Sequence, residues 1–116
     1  MGTHPEKKLF QKDQVIFTEG DLADKGYIIV SGKVELTKQG ISGPRVVAAL
    51  SNNAIFGEMA FFDERKRLVT AKALEPVECF VVDEQAFQAQ LQSASPFIKA
   101  LIRLMVQSYK KEISNR

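Results

Sequence analysis

Phe56-Gly57-Glu58-Met59-Ala60-Phe61-Phe62-Asp63-Glu64-Arg65-Lys66-Arg67-Leu68-Val69-Thr70 is an unusual stretch inside a region that otherwise reads as strands and turns. Met59 to Phe62 have the length of about one helical turn, which is marginal in isolation and must be held by packing. The glycine at its start lets a ligand come close to the backbone. The first amides of a helix have no internal acceptor, so they form a natural seat for a phosphate. Arg67 follows Glu58 by nine residues and heads a strand. Its planar guanidinium can meet a phosphodiester with paired hydrogen bonds. Blander readings exist for each part. A Gly-Glu pair is commonly just a turn, and Glu58 would suit a helix start by its charge alone. Arg67 could pair with Asp63 or Glu64 at the surface, where such bridges contribute little. Arg65 and Lys66 read as solvated loop charges.

On either side of this stretch the pattern is β. Val15-Ile16-Phe17 is a short apolar strand closed by the Glu19-Gly20-Asp21 turn. Tyr27-Ile28-Ile29-Val30 is β-branched and aromatic, and Lys33 to Lys38 alternate so that Val34 and Leu36 share a face. Two such runs around Ser31-Gly32 predict a hairpin. Gln39 to Pro44 read as a loop by their Gly and Pro content, Val46 to Leu50 as a strand, and Ser51-Asn52-Asn53 as a turn. Leu68–Leu74 and Val77–Val82 complete the strands, broken at Glu75-Pro76. Many short strands at regular spacing predict a sandwich, roll or barrel.

The period then changes. Asp83 can cap a helix starting at Glu84, and Ser95-Pro96 supplies a second cap with proline at the first helical position. Phe97, Ile98, Leu101, Ile102, Leu104, Met105, Tyr109 and Ile113 form a broad apolar stripe with helical spacing. Lys110-Lys111 close it, favourably placed at the negative end of the helix dipole. The fold expected is mainly β with flanking α: a double-stranded β-helix (a jelly-roll-like β-roll) over residues 9–83 and C-terminal helices over 84–113. Residues 1–8 are expected as a flexible tail, with one domain over 9–116.

Composition narrows the chemistry. The chain has 116 residues, 45% apolar and 26% charged, enough for one core without staples. A net charge of +2 gives no global pull towards nucleic acid or an anionic membrane. No nucleic-acid contact is expected through this chain alone, since no second helix-turn-helix unit follows the strands. Cys79 is the single cysteine and lies in the apolar run Val77–Val82, so a buried, inert thiol is expected. The single histidine, His4, precedes the strands. A metal cluster of the cupin kind and a His-dependent acid–base mechanism therefore lack their ligand or base, and no metal, cofactor or enzymatic activity is expected. No apolar stretch approaches a membrane span and no signal-peptide core is visible, so a cytoplasmic setting is expected.

The stretch Phe56–Thr70 resembles the phosphate-binding cassette of cyclic-nucleotide-binding domains of the cAMP-receptor and protein kinase A regulatory-subunit type. That cassette runs Phe-Gly-Glu-(Leu/Met)-Ala, a short spacer, then Arg before a small pair and Thr; here these are Phe56-Gly57-Glu58-Met59-Ala60 and Arg67-Leu68-Val69-Thr70. Phe17-x-Glu19-Gly20-Asp21 is similar to the family's opening strand and turn, and Tyr27 to Val34 to its central hairpin. The resemblance implies a regulatory module that binds a cyclic nucleotide. Gly57, Glu58, Met59, Ala60, Arg67, Leu68 and Val69 would line the site. Glu58 would take the ribose 2′-hydroxyl, and Arg67 with the helix-start and Leu68 amides would take the cyclic phosphate. Leu68 stands where Ala, Ser or Thr is usual, and a hydroxyl there aids guanine recognition, so cAMP is favoured over cGMP. Asn53 stands where glycine is frequent. Leu101, Met105 or Tyr109 could serve as a lid over the base, and the last helix could pair two copies as a homodimer. The alternative is a degenerate roll used as a structural or protein-interaction module without ligand. A further alternative is that the chain is the sensor portion of a longer transcription factor, channel, transporter or kinase.

Overall fold

The computed structural model describes residues 6–58 and 66–114. These form eight strands and two helices: β1 (Lys7–Phe10), β2 (Val15–Phe17), β3 (Lys25–Ser31), β4 (Val34–Gly40), β5 (Gly43–Leu50), β6 (Ile55–Phe56), β7 (Thr70–Ala73), β8 (Val77–Asp83), α1 (Glu84–Gln92) and α2 (Pro96–Ser114). The strands make two four-stranded antiparallel sheets, β1-β8-β3-β6 and β2-β7-β4-β5, packed as a roll. Each sheet turns alternate residues inward. Phe10, Tyr27, Ile29, Phe56, Val77 and Cys79 come from the first sheet, and Phe17, Val34, Leu36, Ala71 and Ala73 from the second. Cys79 is fully buried, and burial pushes its thiol up to about 11, so it packs as a small apolar side chain. β1 begins at Lys7, within the segment expected as a tail.

The predicted hairpin at Ser31-Gly32 is a correction. β3 pairs with β6 and β8, and β4 with β5 and β7, so the turn carries the chain from one sheet to the other. The cause is tertiary. Gly32 has φ +108, and a Cβ there would stand 2.5 Å from the Pro76 carbonyl oxygen. Gly32 therefore packs against the β7–β8 connection, which changes sheets too. Local alternation cannot separate a hairpin from such a corner. The Gln39–Pro44 loop shrinks to Ile41-Ser42, because β4 runs through Gly40 and β5 starts at Gly43. Pro44 is tolerated since β5 is an edge strand. Asn53 takes φ +70, the left-handed conformation that asparagine accepts more readily than most residues.

Both helix caps form as the sequence predicts. The Ala86 N–H donates to the Asp83 carboxylate (3.2 Å) and the Ile98 N–H to the Ser95 hydroxyl (3.2 Å). Asp83 also accepts from the Lys25 ammonium at 2.9 Å, which ties the start of α1 to the start of β3. α1 packs on β8, whereas α2 has no comparable face on either sheet. No described helix is long and apolar enough to cross a membrane.

Candidate functional site

Four aromatic rings line one end of the core. Phe17 of β2, Tyr27 of β3 and Phe56 of β6 lie face to face or tilted, with centroids 5.2–6.4 Å apart, and Phe10 meets Tyr27 edge-on at 5.7 Å. Against this apolar floor the chain sets a cation. Arg67 is only 7% exposed, with its guanidinium carbon 3.9 Å from the centre of the Phe17 ring. Such a desolvated contact contributes about 2 kcal/mol. Its Nη1 donates to the Gly57 carbonyl at 2.9 Å. Among the described residues no carboxylate forms an ion pair with it. Its burial overturns the reading of Arg67 as a surface charge; Asp63 and Glu64, the partners expected there, lie outside the described residues. Burial pulls its pKa down, yet a guanidinium stays protonated in any ordinary protein environment.

The backbone around Arg67 is fixed from the β2–β3 turn. The Gly20 N–H donates to the Arg67 carbonyl and the Arg67 N–H to the Asp21 carbonyl, both at 2.8 Å. Gly57 sits at the other end of the guanidinium with φ +82, a left-handed angle that glycine takes without penalty. A Cβ there would stand 2.8 Å from Arg67 Nη1 and 3.1 Å from the Phe17 ring. Glu58 follows directly. Burial raises its carboxyl above the ordinary glutamate range, opposed by a backbone N–H and by the charge of Arg67. The three residues thus form one unit: a buried cation, a half-buried carboxyl and a glycine that only fits without a side chain.

Leu68 is half-buried with its side chain against the core, and Val69 is buried within it. Met59 and Ala60, and the helical turn expected at Met59–Phe62, lie outside the described residues. Leu101, Met105 and Tyr109 are exposed on α2. Among the described residues no three His, Cys, Asp or Glu side chains come together as metal ligands would. The sequence reading missed Phe17 as the ring under Arg67, and it missed Glu19 and Lys38, whose contacts reach residues 68–70. Separations of thirty to fifty residues carry no local signal.

The arrangement can hold a compact anion. A buried guanidinium backed by an aromatic ring offers its remaining N–H groups in a fixed plane, at low local dielectric where each bond is strong.

Comparison with known proteins bears on the same residues. The family described as the cyclic nucleotide-binding domain matches residues 7–94. The chain is 37% identical over 82 residues to a cAMP-dependent protein kinase regulatory subunit of Dictyostelium discoideum, covering 67% of this chain and 25% of the relative. It is 33% identical over 85 residues to a cyclic AMP receptor protein of Thermus thermophilus, covering 72% and 39% respectively. It therefore spans well under half of the length of either. Among solved structures, the EAL enzyme Bd1971 in its cAMP-bound form superposes with a TM-score of 0.83 at 31% identity, over 95% of this chain and 30% of the other. The cGMP-bound form of that enzyme gives 0.85 at 29%, with the same coverage. The match takes in both sheets, Arg67 and its partners, and α1, and on that ground the chain belongs to the cyclic nucleotide-binding domain family.

Proposed function

We propose that this domain is a cyclic-nucleotide sensor that favours cAMP over cGMP and performs no chemistry of its own. The observation that carries the proposal is the buried Arg67, set on Phe17 and Gly57 with no carboxylate partner among the described residues. Burying a cation is costly, and an anionic ligand that pairs with it offsets that cost. Arg67 takes the cyclic phosphate together with backbone amides at residues 57–60 and 68–69. Glu58 accepts from the ribose 2′-hydroxyl. The preference for cAMP rests on Leu68, which brings no hydroxyl towards the base, and on relatives whose names carry cAMP. The cGMP-bound form of Bd1971 makes the preference one of degree. Leu68 packing on the core supports an open pocket over a degenerate one.

The readout is α2. Ligand moves it between two packings by the difference in affinity of those states, with Leu101, Met105 and Tyr109 closing over the base in one of them. The outward stripe of Phe97 and Leu104, 72% and 64% exposed, pairs two copies in a cytoplasmic homodimer. Any output activity belongs to whatever unit the domain controls; the same fold forms part of an enzyme chain in Bd1971.

Titration calorimetry with cAMP and cGMP on the wild type and on Arg67→Ala tests the site. Binding should be tighter for cAMP and should weaken by about 2–5 kcal/mol in the variant. Absence of heat with either nucleotide refutes the sensor reading.

A further inference from the structure

Leu68 and Val69 lie between Arg67 and the first residue of β7, outside any strand. Among the described residues neither of their N–H groups has an acceptor. Their peptide planes are nevertheless set, from outside. The Gly20 N–H holds the Arg67 carbonyl at 2.8 Å, and the Lys38 ammonium donates to the Leu68 carbonyl at 3.1 Å. In a trans peptide the N–H points opposite to the C=O. The first tie therefore aims the Leu68 N–H, and the second aims the Val69 N–H.

Lys38 can reach because β4 outruns β7. Their last pair is Thr37–Thr70, and Lys38 is the next residue along β4. Glu19 then fixes the ammonium. One carboxylate oxygen lies 3.6 Å from Lys38 Nζ, and the other accepts the Gln39 N–H at 2.9 Å. The Glu19 N–H donates in turn to the Thr70 hydroxyl at 2.9 Å, closing a ring through residues 19, 38, 68 and 70. The two charged side chains are 27% and 31% exposed, so the pair is sheltered more than an ordinary surface bridge.

We propose that Lys38, held by Glu19, is a positioning residue for the ligand site: it fixes the Leu68–Val69 peptide so that the Val69 N–H is presented to a cyclic phosphate beside Arg67, alongside the Leu68 N–H that Gly20 aims. The proposal rests on the reading of Arg67 as the phosphate holder. A flexible peptide would have to be ordered at each binding event, and holding it beforehand removes that cost.

The test compares Lys38→Met, Lys38→Arg and Glu19→Gln with the wild type, using cAMP calorimetry and the 1H–15N resonances of Leu68 and Val69 in the free protein. Lys38→Met should weaken cAMP about tenfold, corresponding to about 1.4 kcal/mol, and should shift the Val69 amide more than the Leu68 amide. Lys38→Arg, which keeps a charged donor, should recover affinity to within about threefold, corresponding to roughly 0.7 kcal/mol. Glu19→Gln should fall between. Unchanged affinity and unchanged amides in Lys38→Met overturn the proposal, as does an arginine variant that fails as badly as methionine. A wild type that takes up no nucleotide sinks the site reading instead, while the amide shifts still report whether Lys38 sets the peptide.

Discussion

Gly57→Ala separates the cost of backbone strain from the cost of disturbing Arg67. Gly57 has φ +82 and Gly20 has φ +92, so alanine at either position meets the left-handed penalty of about 1–2 kcal/mol. At Gly20 a Cβ would find nothing within 4 Å, and that penalty is the whole effect. At Gly57 the same atom would come 2.8 Å from Arg67 Nη1 and 3.1 Å from the Phe17 ring. The guanidinium is the movable party, so it leaves the Gly57 carbonyl and forfeits a charged hydrogen bond of about 1.5–3 kcal/mol. Urea denaturation should therefore show Gly57→Ala losing about 2.5–5 kcal/mol, against about 1–2 for Gly20→Ala. cAMP affinity should fall at least about thirtyfold for Gly57→Ala, since even 2 kcal/mol at the phosphate has that effect. Gly20→Ala should change affinity much less. Equal stabilities for the two variants, or full-strength cAMP binding by Gly57→Ala, would refute the claim that this glycine exists to seat Arg67.

Other outcomes follow from the same geometry. Glu58 has a carboxyl raised by burial, so it takes up a proton at a higher pH than an ordinary glutamate; cAMP affinity should decline as pH falls from neutral, and Glu58→Gln should be weaker but flat with pH. The raised pKa also means that ionised Glu58 costs the free protein stability at neutral pH, a cost relieved as pH falls through the folded pKa, so Glu58→Gln should melt higher without ligand. Asp83 is held below the usual carboxylate range by the Lys25 hydrogen bond, and Lys25 is raised in return. The cap on α1 should persist at neutral pH and loosen only as pH falls through the lowered Asp83 pKa; Lys25→Met should speed amide exchange at Ala86 at pH 7, with unchanged exchange counting against the tie. Gly32→Ala drives a Cβ to 2.5 Å from the Pro76 carbonyl and 2.9 Å from Val77 Cα, backbone that cannot swing aside. It should lose about 3 kcal/mol or more in urea denaturation.

Period and punctuation alone determined a good deal. The alternation of Lys33 to Lys38, the apolar runs at Tyr27–Val30 and Val77–Val82, and the Asp83 and Ser95 caps each depend on neighbours within four residues. Local chemistry therefore fixed most of the strands, both helices and their starts, but not the short edge strands β1 and β6, which exist only by pairing with β8 and β3. Phe56-Gly57-Glu58 and Arg67 were legible as a candidate anion site because a short motif carries its own spacing. Tertiary structure decided what distance in sequence hides. The Ser31-Gly32 turn became a corner between sheets because Pro76 packs against it, forty-odd residues later. Phe17, Glu19 and Lys38 reached the site across comparable gaps. Whether Arg67 is a solvated charge or a buried one is set by which rings surround it, and packing between two sheets brings those rings together only once the chain has folded.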